Sequence, residues 1–200
     1  FADRLMHAIA AVPGGQGTTL SGAPPAMGDS PTPTDIEVDG RPAGTVGLGR
    51  KWVDPSYFSV IGLPLVSGRD LTTSDSPADV VVSESFARRF WPGQDAVGHS
   101  FRGGAHSPFP LRYTVVGVVG DFRTDPRRMP DENDARTYMY VLQSAPTAGV
   151  PPPEPPPGVA RPTPIDTGGS YGVLQVTVRM DSPTRGAAVL AAARALDPRL

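Results

Sequence analysis

The sequence predicts an α+β fold. Three observations carry that prediction. Apolar residues recur at helical spacing near both ends of the chain. Short β-branched runs occupy the middle. A strand with regular alternation stands directly before the closing helical stretch. With 200 residues and a hydrophobic fraction of 38%, the chain can bury one ordinary core or those of two small lobes.

Phe1, Leu5, Ile9 and Val12 fall on one helical face, and Pro13-Gly14-Gly15 ends that helix. Residues 16–34 are rich in glycine and proline and read as loop, with an irregular strand around Thr18–Leu20. Ile36-Glu37-Val38 alternates before Asp39-Gly40, a hairpin signal. Val80–Val82 reads as a short buried strand. Ser83 then serves as N-cap of a helix with Phe86 and Phe90 on one face. Trp91-Pro92-Gly93 stops it. Tyr113–Val119 is nearly continuous apolar sequence, as expected of a strand covered on both faces. Tyr138–Val141 reads as another strand. Residues 146–164 hold nine prolines, which predicts an extended polyproline-like loop. Leu174, Val176, Val178 and Met180 alternate with Gln175, Thr177 and Arg179, which gives a strand with one buried face. Ser182 and Pro183 start a last helix as N-cap and first helical residue. It turns Val189, Ala193 and Leu196 inward, and Asp197-Pro198 closes it.

Composition excludes several functions. The net charge is -2, so nucleic acid is not an expected partner. The chain has no cysteine, hence no disulfide framework, thiolate zinc site or cysteine nucleophile. No run of about 18 apolar residues is present to cross a membrane, and no signal peptide opens the chain. The sequence begins inside a helical pattern and stops just past one. We therefore read it as part of a longer protein whose spanning segments lie outside this stretch.

No motif supplies a reacting group. A phosphate-binding loop needs Gly-Lys-Ser/Thr, but Lys51, the only lysine, precedes Trp52. Gly44, Gly47 and Gly49 lack the further glycine of a dinucleotide fingerprint. Gly168-Gly169-Ser170-Tyr171-Gly172 matches the nucleophile-elbow pattern formally. That chemistry needs a strand before the serine and a helix after it; here a proline-rich stretch precedes and a strand follows. His7, His99 and His106 are too scattered for a metal site, and His99, after Gly98, reads as solvent-exposed. Asp131, Glu132 and Asp134 lack the glycine and distant glutamate of a calcium loop. Glu84 with Asp121 or Asp125 would make a carboxylate pair, but nothing in the sequence brings them together. The expected catalytic, cofactor-binding and metal-ligating residues are therefore none.

A family signature runs through the middle. It comprises Val53-Asp54-Pro55-Ser56-Tyr57-Phe58-Ser59-Val60-Ile61-Gly62-Leu63-Pro64-Leu65, then Ser67-Gly68-Arg69-Asp70 and Asp75. Val80–Ser83, Phe86-Ala87-Arg88-Arg89-Phe90-Trp91-Pro92-Gly93 and Val97-Gly98 follow, and Tyr113 to Arg123 completes it. With the opening helix and the closing strand and helix, this order is similar to the periplasmic core domain of MacB-like and FtsX-like ABC transporter permeases. It most resembles the large duplicated permeases described from acidobacteria. The departures are the insertion at 146–164 and the loose segment 16–34.

The resemblance implies a porter-like lobe of βαβ units, built from residues 1–49 and 131–200. It implies a β-rich, sabre-like lobe inserted at 50–130. The domain would lie on the extracytoplasmic side of the cell membrane. Its partners would be its own transmembrane helices, a cytoplasmic ATPase subunit or domain, and a second permease copy or half. Its function would be non-catalytic, coupling helix movement to periplasmic events. The residues themselves assign scaffold roles. Tyr57, Phe58, Ile61, Leu63 and Leu65 form a core cluster around a Gly62 turn, Arg69 pairs with a carboxylate, and Gly117 and Gly120 allow a bulge or close approach. Two other readings remain: a soluble extracytoplasmic binding module, and a serine hydrolase using Ser170.

Overall fold

A computed structural model describes residues 2–22, 32–103, 112–121, 137–142 and 175–198. The opening helix is α1, Ala2–Ala10. It buries Leu5 and Ile9, and Val12 is buried just beyond it. Strand β1, Gly15–Ser21, follows, then β2, Thr32–Val38, and β3, Arg41–Val53. Strand structure thus takes in more of 16–34 than Thr18–Leu20 alone. The Asp39-Gly40 turn forms as expected: Val38 pairs with Arg41, and the two turn residues have φ of 48° and 81°. Positive φ at both central positions matches the right-handed twist of the flanking strands. The glycine-rich stretch Gly44–Gly49 lies inside β3.

Helix α2, Tyr57–Ile61, ends at Gly62, whose left-handed φ of 74° reverses the chain. Strands β4, Leu65–Gly68, and β5, Asp79–Ser83, precede helix α3, Glu84–Phe90. The Ser83 side chain accepts from the Phe86 amide at 3.3 Å, the N-cap bond expected of it. Strands β6, Ser100–Gly103, β7, Arg112–Val119, β8, Thr137–Leu142, and β9, Gln175–Met180, complete the sheet. A 3₁₀ turn, Pro183–Arg185, leads into α4, Gly186–Leu196. Among the described residues, no helix is long and apolar enough to cross a membrane.

The strand order is β2-β6-β7-β5-β8-β3-β1-β9, and β2 also pairs with β3. The path therefore returns on itself, and β2, β6, β7, β5, β8 and β3 form a closed ring. The β5–β7 and β3–β8 pairings are parallel, and the other ring pairings are antiparallel. The largest buried cluster draws on every ring strand: Ile36, Leu48, Val80, Phe101, Val115 and Met139 all belong to it. Only the inside of the ring brings those side chains together. Phe86 of α3 joins them, its ring 4.8 Å from that of Phe101. A second cluster covers the outer face, where Tyr57 and Phe58 of α2 meet Val81, Tyr138 and Tyr140. β7 contributes Val115 and Val118 to the first cluster and Val119 to the second, so both its faces are covered as expected.

Two expectations need correction. Leu65 is not in the core; it is 46% exposed, because β4 lies at the margin of the sheet with β7 as its pairing partner. His99 is half-buried rather than solvated, held against Asp39 and Trp91.

Candidate functional site

The two ends of the chain fold together. β1 pairs antiparallel with β9, from Gly15 opposite Met180 to Ser21 opposite Gln175. α1 and α4 pack on this pair through Leu5, Ile9 and Ala193, joined by Val176, Val178, Val189 and Leu196. The inward residues of α4 are those the sequence pattern selects. The turn leaving α1 lies beside the turn entering α4. The Asp181 amide donates to Gly14 O at 3.0 Å, and Arg185 donates to Pro13 O at 2.8 Å. The C-terminal end of α1 therefore sits by the N-terminal end of α4. The two helices run antiparallel, and Ala2 and Leu196 come to the same, opposite end of this layer.

The layer meets the ring at a polar junction. Ser21 opposite Val53 is the one register pair between β1 and β3. Beyond it, Asp54 takes over. Its carboxylate accepts from Thr19 Oγ1 at 2.6 Å and from the Leu20 amide at 2.7 Å. It also accepts from the Ser56 amide at 2.8 Å and from Ser56 Oγ at 2.7 Å. Thr18 O stands 2.9 Å from the same Ser56 Oγ, so the one hydroxyl proton is shared between the carboxylate and this carbonyl. A carboxylate that accepts several donors is strongly held in place. α2 is the second contact. Its Ser59 carbonyl accepts from Arg179 at 3.1 Å, and Val60 packs directly against Gly17. The Asp-Pro-Ser run announces a local turn, but no local pattern shows that its carboxylate reaches across to β1.

Other polar groups brace the loops around the ring. Arg69 grips Asp75 with two nitrogens, at 2.7 and 2.9 Å. That pairing holds the Asp75 carboxyl below its ordinary range, against a smaller opposing effect of burial. Arg88 bridges Glu84 and Asp121, at 2.8 and 2.9 Å, so these two carboxylates do approach, around a cation. Asp39 accepts from Trp91 Nε1 at 3.0 Å and the Ser100 amide at 3.1 Å, with His99 Nδ1 at 2.8 Å. Burial pushes the Asp39 carboxyl up, and these partners outweigh it and hold it low. Asp70 moves the other way. Burial raises it, with the nearby Asp54 charge adding to the effect and the Leu71 amide opposing it. Burial also raises the Tyr57 and Tyr140 hydroxyls. Lys51 is buried in β3 with its ammonium 5.9 Å from the Tyr57 ring centre.

Among the described residues, no group of three or more His, Cys, Asp or Glu is placed to hold a metal ion. His7 lies on α1, whereas His99 is held against Asp39 and Trp91. Ser170, His106, Asp125, the Asp131–Asp134 cluster and the 146–164 stretch lie outside the described residues.

Residues 10–196 match the family model described as the MacB-like periplasmic core domain. The chain belongs to this family. Solved structures agree with it in fold. The MacB-like domain is similar to the periplasmic region of MacB from Actinobacillus actinomycetemcomitans, with a TM-score of 0.55 at 17% identity over 96% of this chain and 70% of that one. It is similar to the extracellular domain of the ABC-type transporter YknZ from Gram-positive bacteria, with a TM-score of 0.54 at 14% identity over 100% and 83%. A domain of a putative permease from Porphyromonas gingivalis gives a TM-score of 0.54 at 16% identity over 94% and 72%. No curated protein matches the chain.

Proposed function

We propose that this MacB-like domain is the non-catalytic extracytoplasmic part of an ABC-type permease, and that it carries movement of membrane segments into the periplasm. The observation that carries the reading is the antiparallel pairing of α1 and α4. Segments joined to the two ends of such a pair leave the domain side by side, as two neighbouring membrane helices require. Movement of one against the other would act first on the α1–β1–β9–α4 layer. Its driver would be a cytoplasmic ATPase subunit or domain, and a second permease copy or half would complete the assembly.

The lobe division belongs to the same proposal: a porter-like lobe from 1–49 and 131–200, and a sabre-like lobe from 50–130. The packing of both chain ends into one layer supports the first lobe. The ring takes strands from both stretches, so the two lobes would share a sheet rather than meet at a linker.

The test uses the full-length parent. An enzyme reporter that works only after export is placed within 146–164, and intact cells and membrane fractions are assayed. Reporter activity with membrane recovery is expected. An inactive reporter on a folded fusion would put this stretch in the cytoplasm and overturn the reading. An active reporter on a protein recovered in the soluble fraction would favour the free binding module.

A further inference from the structure

Among the described residues, the buried apolar clusters do not cross from the end layer into the ring. The layer's own cluster is small: Leu5, Ile9 and Ala193, with partly buried neighbours from β9 and α4. None of its members belongs to either ring cluster. What crosses is hydrogen bonding, together with the packing of buried Val60 of α2 against Gly17 of β1. Gly22 N donates to Trp52 O at 2.9 Å, and Asp54 N to Leu20 O at 3.1 Å. The Asp54 carboxylate and Ser56 add the bonds to Thr18, Thr19 and Leu20. α2 divides its contacts by face, with Tyr57 and Phe58 in the ring's outer cluster and Ser59 and Val60 toward the layer.

Apolar burial makes neighbouring elements open together, whereas a junction of few polar contacts lets them open separately. We propose that α1, β1, β9 and α4 form one cooperative body that opens and shifts against the ring about a polar hinge. Asp54 with Thr19 and Ser56 is the latch of that hinge, and α2 is its pivot. The latch is specific because one carboxylate serves both sides: it accepts from β1 and from the start of α2. When it releases, Leu20 N and Thr19 Oγ1 lose their acceptor while the ring ladders stay intact. This inference rests on the geometry of the chain alone. Under the permease reading, the hinge is where displacement of the chain ends becomes rotation of the layer.

The test is amide hydrogen exchange on the 200-residue chain, comparing the natural sequence with Asp54→Asn and Thr19→Val. Thr19→Val keeps the shape of a buried strand residue and removes only the donor, so it stays informative should Asp54→Asn fail to fold. Exchange in α1, β1, β9 and α4 is expected to accelerate about ten-fold or more together, because a hydrogen bond to a charged group is lost from the junction. Exchange in β5, β7 and β8 is expected to stay within two-fold or so of the natural chain. Equal acceleration in the ring strands would show one cooperative unit and overturn the proposal. So would no acceleration in the layer. Either result leaves the extracytoplasmic reading standing, because the reporter assay decides that separately.

Discussion

Asp75 shows how a single side chain closes a loop. Its side chain is 8% exposed and that of its partner Arg69 is 50% exposed, so solvent screens half of the pair. The discounted contribution is about 1 kcal/mol. The carboxyl is held below its ordinary value by Arg69. Its stabilisation is therefore present above the unfolded value of about 4 and is lost as pH falls through the lower folded value. Asp75→Asn should lower stability by about 1 kcal/mol at pH 7, and the difference should shrink as thermal melts are taken below about pH 4. A difference that persists at pH 2 would assign the effect to packing instead. Gly117 is a different case. A Cβ there would stand 2.1 Å from Arg69 O, a backbone atom with nowhere to go. The strand is also bulged at this point, with Val80 opposite Val115 and Val81 opposite Gly117. Gly117→Ala should cost about 3 kcal/mol, as forced overpacking does, and urea unfolding would read it directly.

At the scale of elements, Ser83 joins a strand, a helix and a neighbouring strand. Its hydroxyl oxygen accepts from Phe86 N at 3.3 Å and from Tyr138 N at 3.2 Å, and it is buried. Ser83→Ala removes the cap and leaves a buried Tyr138 amide without that acceptor. The expected loss is about 2 kcal/mol, above that of an ordinary cap, measured as a shift in the urea midpoint. The cap itself was legible, because a serine followed by apolar residues at helical spacing is a local pattern. So were the Asp39-Gly40 turn, the doubly covered β7 and the inward face of α4, each coded within a few neighbours. β3 was not legible as one long strand. Its glycines weaken the strand signal, and Gly49 is required where the Tyr138 ring passes 2.5 Å from the position of a Cβ. Nor was the exposure of Leu65, which depends on β4 lying at the sheet margin. The Asp54 junction was hidden for the same reason: its turn is local, but its partners Thr19 and Leu20 are 35 and 34 residues away.

For the whole molecule, the unequal size of the buried clusters sets the order of unfolding. The ring interior holds Phe86 and Trp91, Phe101 from β6, and aliphatic side chains from each of the other five ring strands. Among the described residues, the cluster of the end layer has three buried apolar residues, one of them an alanine, and Val12 is buried between α1 and β1. Ile9 is the most enclosed of the three, at 3% exposure. Truncating a buried isoleucine to alanine costs about 2–5 kcal/mol. That is more than so small a cluster can offset, since a fully buried aliphatic side chain contributes about 1.5–3 kcal/mol. Ile9→Ala should therefore split thermal unfolding into two steps. The first should remove the helical far-ultraviolet signal of α1 and α4. The near-ultraviolet signal of the aromatic ring interior should remain until the second. A variant in which both signals fall together would place Ile9 in the same cooperative unit as the ring. The layer would then be an extension of one core, and movement of the chain ends could reach the ring only by straining it.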